Sequence, residues 1–236
     1  MRAKNQAHTW RLTPSRGTEP ATVFKGNQFP KRTLKDVATS EHPTVTRCFW
    51  CGDDPLYIAY HDNEWGIPVH DDRHLFEMLV LEGFQAGLSW ITILRKREAF
   101  RSAFRAFDAE AIARFKQRDF DRLMQNAGIV RNRLKIESSV LNAKAFLAIH
   151  KQPGGFDHFL WEFTGHQTLR NPRGTTRENI PATSPESDRL SKELLRSGFK
   201  FVGSTICYAF MQAVGMVDDH VEGCWKYQPR SGARNL

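Results

Sequence analysis

Residues 48–66 read CFWCGDDPLYIAYHDNEWG. These nineteen residues hold two thiols (Cys48, Cys51), one imidazole (His61), two indoles (Trp50, Trp65), two phenols (Tyr57, Tyr60) and four acids. A matching group recurs only near the far end, as His220-Val221-Glu222-Gly223-Cys224. Thiols and imidazoles at both ends predict one metal ion tying the termini together. The aromatics between them predict a surface that holds something flat.

Zinc prefers four tetrahedral ligands drawn from thiolate and imidazole. Cys48, Cys51, His61, His220 and Cys224 are one too many. Spacing alone favours Cys48-x-x-Cys51 with His220-x3-Cys224; the other choice is Cys48, His61, His220 and Cys224. Either set is closed, with no position for water, so the ion would be structural and would clamp the C-terminal segment onto the N-terminal one. Asp218 and Asp219 are the expected partners orienting the ligands. The plainer alternative is free thiols and a surface histidine. Four cysteines in 236 residues do not make a disulfide scaffold, and Cys207 reads as a small buried hydrophobe.

The net charge of +8 is unevenly placed. Residues 1–47 carry nine Lys/Arg against three acids, and residues 225–236 add Lys226, Arg230 and Arg234, which leaves residues 48–224 near −1. Overall charge therefore says little about a nucleic-acid partner; local clusters must carry that argument. Residues 1–44, rich in Thr, Pro, Ser, Lys and Arg, read as a disordered extension, and 226–236 as a flexible basic tail. No apolar run reaches membrane-spanning length. The body, 45–225, should form one helical domain.

Beyond the opening stretch the pattern is helical almost throughout. Asp71 or Asp72 caps a helix with Leu75, Phe76, Met78, Leu79 and Val80 inward, ending near Gly83. Ser89 caps a second helix from Trp90 through RKREAFRSAFRAF, with Phe100, Phe104 and Phe107 inward. Its Arg97, Arg101 and Arg105 read as a solvated face. Asp108 caps a short helix, another covers Phe120 to Asn126, and a long one runs from Arg131 to about His150. A short aromatic helix follows through Phe159, Trp161 and Phe163, and then an irregular polar segment, 164–184. Ser184-Pro185 opens a helix to Arg196, and a last one spans Gly203 to Met216. The fold class is all-α.

Between two of these helices lies NAGIVRNRLKI, 126–136. Backbone amides at such a turn, with Gly128, Ile129 and Val130 followed by Arg131 and Arg133, can bind a DNA phosphate without reading sequence. Arg131, Arg133 and Lys135 alternate and cannot share one helical face. An ordinary helix connection is the plainer reading.

The segments 48–98, 126–136 and 198–224 together resemble the bacterial 3-methyladenine DNA glycosylase I family, in the right order and over most of residues 47–224. The resemblance implies a helix-hairpin-helix glycosylase fold and hydrolytic release of 3-methyladenine from alkylated double-stranded DNA. It implies Cys48, His61, His220 and Cys224 as ligands of one structural zinc, with Cys51 left over as a competitor for the metal. It implies Glu82 and Tyr60 as catalytic residues, and Trp50, Tyr57, Trp65 and Trp90 as the base pocket.

Those residue types suit the task. A base must leave the stack before chemistry, and aromatic faces replace the stacking it loses. N3-alkylated adenine is cationic, which favours electron-rich rings and a carboxylate. Glu82 stands alone in an apolar LVLEGF run, an environment that perturbs its titration. No Asp lies in residues 129–156 and no lysine stands where a Schiff-base nucleophile would, so the expectation is a monofunctional enzyme without lyase activity. A monomer with no membrane attachment, at work in the bacterial cytoplasm on the nucleoid, completes the picture. The competing reading is a zinc-stabilised binder of alkylated DNA that does not cleave.

Overall fold

Helix α1 (Pro55–Asn63) starts where Asp54 accepts hydrogen bonds from the Leu56 and Tyr57 amides and Pro55 fills the first turn. Asp54-Pro55 is the same cap-and-proline signal as Ser184-Pro185, and it marks a helix inside the opening stretch that the sequence reading left unassigned. The computed structural model describes residues 45–228. The extension 1–44 and the tail beyond residue 228 lie outside the described residues.

Helix α2 (Asp72–Gln85) organises the rest. Asp71 caps it through the His74 amide, and ten of its fourteen residues are buried. A helix buried on every side from Leu75 to Phe84 cannot lie on a surface, so it threads the core. It packs against α3 (Trp90–Ala103), α6 (Arg133–His150), α7 (Gly155–Trp161) and α9 (Ser204–Ala213). That path is what carries Glu82 into the interior.

The α3 pattern holds on its apolar side and departs on the other. Phe100, Phe104 and Phe107 are fully buried, each worth about 2–3 kcal/mol of apolar burial. Yet the helix stops at Ala103, and Arg105, Ala106 and Phe107 turn left-handed with φ of 56, 51 and 56°. Such a turn is costly for non-glycine residues. Two contacts offset it: Phe107 stacks on Phe104 with planes 5° apart, and Arg73 Nε donates to the Ala106 carbonyl at 2.6 Å. Of the arginine stripe, Arg105 is exposed as a solvated face requires, whereas Arg97 and Arg101 are paired. Arg97 forms a two-pronged pair with Glu64 beyond the end of α1, and Arg101 reaches Glu77 of α2 at 2.7 Å.

Helices α4 (Ala109–Ala113) and α5 (Gln117–Gln125) follow; Asp108 caps the first, and Asp119 accepts the Lys116 amide at the start of the second. Asn132 caps α6 through the Lys135 amide, two residues later than the sequence suggested. Helix α8 (Pro185–Arg196) begins at Ser184 as read. One feature is not helical: β1 (Leu169–Arg170) pairs in parallel with β2 (Val217–Asp218). An Arg170–Asp218 ion pair at 2.9 Å fastens it. Among the described residues no helix is long and apolar enough to cross a membrane.

Candidate functional site

The two ends of the described chain meet at Asp62. Its carboxylate accepts one bifurcated hydrogen bond from Arg47 Nε, one from Arg47 Nη2 at 2.7 Å and one from Trp225 Nε1, and it sits 2.8 Å from His61 Nδ1. The Arg47 guanidinium, with help from His61 and Trp225, holds Asp62 well below the usual carboxylate range. Lys226 donates to the His61 and Asp62 carbonyls and the Tyr227 amide to Cys224, so the first tail residues are anchored.

Behind Asp62 lies a cluster of four buried ligands. One ligand atom from each of Cys48, His61, His220 and Cys224 lies within 4.8 Å of the other three. Cys48 Sγ is 3.5 Å from His220 Nδ1, and Cys224 Sγ is 3.4 Å from His61 Nε2 and 3.7 Å from His220 Nδ1. This group could hold a metal ion. Cys51 is buried but stands outside it, its amide closing a turn onto the Cys48 carbonyl. The expected helpers do not reach the ring nitrogens. Asp218 takes the His220 backbone amide and Arg170, while Asp219 takes Tyr208 and Gln212. Asp62 holds the position by a histidine ring that Asp218 and Asp219 do not.

Beside the cluster opens a cavity of about 270 Å³. Trp50, Tyr57, Tyr60, Trp65, Glu82 and Trp90 all line it. Trp50 is its hub: the Trp65 centroid lies 4.8 Å away edge-on and the Tyr57 centroid 5.0 Å away. Tyr60 packs on Trp90 at 5.6 Å. Glu82, at 3 % exposure, comes from α2. No hydrogen bond to its carboxylate occurs among the described residues, and burial pushes its pKa up to about 8. Burial, with Glu82 nearby, also raises the Tyr60 phenol well above its ordinary value, so it stays protonated. Trp90 Nε1 is a buried donor without a partner among the described residues.

Phe49, Gln85, Ile180, Ala209 and Gln212 also line the cavity, and sequence reasoning did not single them out. Gln85 had a local signal, one turn beyond Glu82 on the same helix. Ile180 and Gln212 had none, since only tertiary packing brings them there.

The α5–α6 connection is a tight hairpin. Asn126 Oδ1 accepts the Gly128 amide at 2.8 Å, and a Cβ on Gly128 would stand 2.9 Å from Ala99 Cβ. Glycine is required there by the close approach to α3. Ile129 is buried, Val130 is half-buried, and Arg131 is exposed. Arg133 pairs with Glu137 at 2.7 Å. Lys135 turns inward and donates to the Phe84 and Ala86 carbonyls at 2.9 and 2.8 Å, capping the end of α2.

An all-helical domain with an aromatic, acid-bearing pocket against a thiolate–imidazole cluster is a defined class of site, and its relatives are known. The methyladenine glycosylase family profile matches residues 50–227. DNA-3-methyladenine glycosylase 1 of Escherichia coli K12 is 52% identical over 183 residues, 78% of this chain and 97% of that one. A crystal structure of 3-methyladenine DNA glycosylase I superposes with a TM-score of 0.75 at 51% identity, covering 78% of this chain and all of the other. A Staphylococcus aureus 3-methyladenine DNA glycosylase I, solved to explain 3-methyladenine recognition, gives 0.72 at 36% identity over 77% and 98% of the two chains. The chain belongs to the methyladenine glycosylase family.

Proposed function

We propose that this protein is a DNA glycosylase that flips N3-methylated adenine out of alkylated duplex DNA and hydrolyses its glycosidic bond. The carrying observation is Glu82, a carboxyl without a partner in a 270 Å³ cavity walled by indole and phenol rings. An apolar cavity of that size suits a flat ring, and the one acid in its lining suits a cationic one. As the cation enters it supplies the counter-charge that burial denied, and Glu82 gives up its proton to pair with it. Trp50, Tyr57, Trp65 and Trp90 are the binding surface, and the protonated Tyr60 offers a hydrogen bond beside Glu82.

Chemically, the alkylated base needs little acid catalysis. The C1′–N9 bond breaks with its electron pair moving to the base, which leaves neutral; water adds to C1′ and its proton goes to solvent. Glu82 and Tyr60 act by holding the base in that leaving geometry. Among the described residues no lysine lines the cavity, which supports a monofunctional enzyme without a Schiff-base intermediate. The α5–α6 hairpin, through the amides of Gly128, Ile129 and Val130 with Arg131 and Arg133, is the proposed phosphate contact on double-stranded DNA. We assign the protein as a monomer of the bacterial cytoplasm, acting on the nucleoid.

The four-ligand cluster suits one structural zinc. Zn–S of ~2.3 Å and Zn–N of ~2.0–2.1 Å put the S···N edge of a tetrahedron near 3.5–3.6 Å. Three of the four S···N edges here measure 3.4, 3.5 and 3.7 Å. Asp62 on His61 Nδ1 is the orienting carboxylate that a zinc-bound histidine uses. With all four positions taken, zinc would brace the pocket and leave the chemistry to the side chains.

Incubation with methylated duplex DNA and chromatography of the released bases tests the activity. Free 3-methyladenine is expected. Tight binding with no released base would replace the enzyme with the binding module.

A further inference from the structure

Gln212 stands near the end of α9 and reaches the same cavity as Glu82. Its Nε2 donates to Asp219 Oδ2 at 2.8 Å, and the Tyr208 hydroxyl donates to that same oxygen at 2.7 Å. Asp219 and Tyr208 are both buried. A carboxylate oxygen taking two donors is an acceptor only, so the Gln212 amide cannot turn over. Its nitrogen is committed to Asp219, and Oε1 is the end left free. Gln85, in the same lining, is fixed alike: its Nε2 donates to the Leu88 carbonyl at 2.6 Å, which leaves its oxygen uncommitted. With Glu82 ionised against a cationic base, Gln212 and Gln85 add oxygen acceptors to a cavity whose donors are the Trp90 Nε1 and the Tyr60 hydroxyl.

That polarity separates two substrates that charge and stacking cannot. N3-methyladenine and N3-methylguanine are both flat and both cationic in DNA. They differ at the 6-position, where adenine carries an amino donor and guanine an oxo acceptor, and at the 2-position, where only guanine carries an amino group; Gln212 can act on the first difference. An oxo group facing fixed oxygens meets lone pairs instead of protons.

We propose that Gln212 presents Oε1 to the 6-amino group of the flipped base and so selects 6-amino over 6-oxo purines, with Asp219 as the positioning residue that fixes its amide. The inference rests on the glycosylase reading and gives it a substrate boundary.

The test uses the full chain on methylated duplex DNA containing both lesions, with 3-methyladenine and 3-methylguanine measured in one reaction. Gln212→Leu should slow 3-methyladenine release roughly tenfold, the worth of one hydrogen bond, and speed 3-methylguanine release by removing the opposing lone pair, so that the adenine-to-guanine ratio falls at least tenfold. Gln212→Met, closer in length, should give the same ratio if packing limits the leucine variant. Asp219→Asn offers an amide that lets Gln212 invert, so it should lower the adenine-to-guanine ratio without touching the base. A merely structural role would slow both lesions in parallel. An unchanged ratio in the Gln212 variants, with 3-methyladenine still released by the parent, overturns this inference alone. A parent that releases neither base overturns the glycosylase reading and this inference with it.

Discussion

Trp65 stands edge-on to His220, ring centroids 4.7 Å apart and planes at 89°. One of these residues lines the proposed base pocket and the other belongs to the ligand cluster, so the two devices share a wall. Gly66 tightens the joint: its amide donates to the Gln212 carbonyl at 3.0 Å, and a Cβ there would meet His220 Nε2 at 3.0 Å. With φ at +75°, the position suits glycine.

Loss of the metal should therefore be felt in the pocket. Elemental analysis should find one zinc per chain, and stripping it with a chelator should lower Tm by ~10 °C, as expected for loss of ~4 kcal/mol of linked binding energy. Tryptophan fluorescence should change with it, and Asp62→Asn should weaken zinc binding by roughly 10–100-fold. A chelated protein with unaltered Tm and emission would remove the clamp from the account.

Glu82 predicts a pH signature in the ligand-free protein. Its pKa rises from an ordinary 4.5 to about 8 through burial alone. The folded protein keeps this proton between those values while the unfolded chain has lost it. Stability from this group is thus complete below pH 4.5 and falls as pH rises through 8. Glu82→Gln abolishes the loss, so its stability relative to the parent should climb by about 3–5 kcal/mol between pH 5 and 8.5 in urea unfolding. Base release should drop sharply in the same variant. A pH-independent difference would mean that the carboxyl is solvated.

Lys135 and Arg131 should separate stability from DNA binding. Lys135→Met leaves the Phe84 and Ala86 carbonyls without their donor beside Glu82. A loss of about 1–3 kcal/mol in chemical denaturation is expected. Arg131→Ala should leave Tm unchanged, weaken binding to any duplex, and reduce the salt slope of log K by about one. Unaltered duplex binding in Arg131→Ala would take the hairpin out of the interface.

Gly128→Ala tests the approach to α3. A methyl 2.9 Å from Ala99 Cβ forces the hairpin outward, with an expected cost of about 1–3 kcal/mol by thermal or urea unfolding. A neutral substitution would show that the turn has slack.

The sequence by itself determined what depends on neighbours along the chain. Asp71, Asp108 and Ser184-Pro185 mark helix starts because a cap and its amides lie within a few residues. The apolar run of α2 announced burial, and the ligand types announced a cluster that could hold a metal. Asp54-Pro55 carried equal information and was overshadowed by the motif around it.

Tertiary structure decided what depends on partners far apart. Spacing alone favoured Cys51 among the ligands and the family resemblance put His61 in its place; the fold brings His61 within reach of Cys224 and leaves Cys51 outside. Lys135 and Arg131 look alike in sequence, but one caps α2 from within and the other faces water. Asp62 and Gln212 have no local signature, because each acquires its role from groups across the fold: Arg47 and Trp225 for one, Tyr208 and Asp219 for the other. Propensity and capping act over one helical turn; a side chain's hydrogen-bond partner is fixed only when whole elements pack.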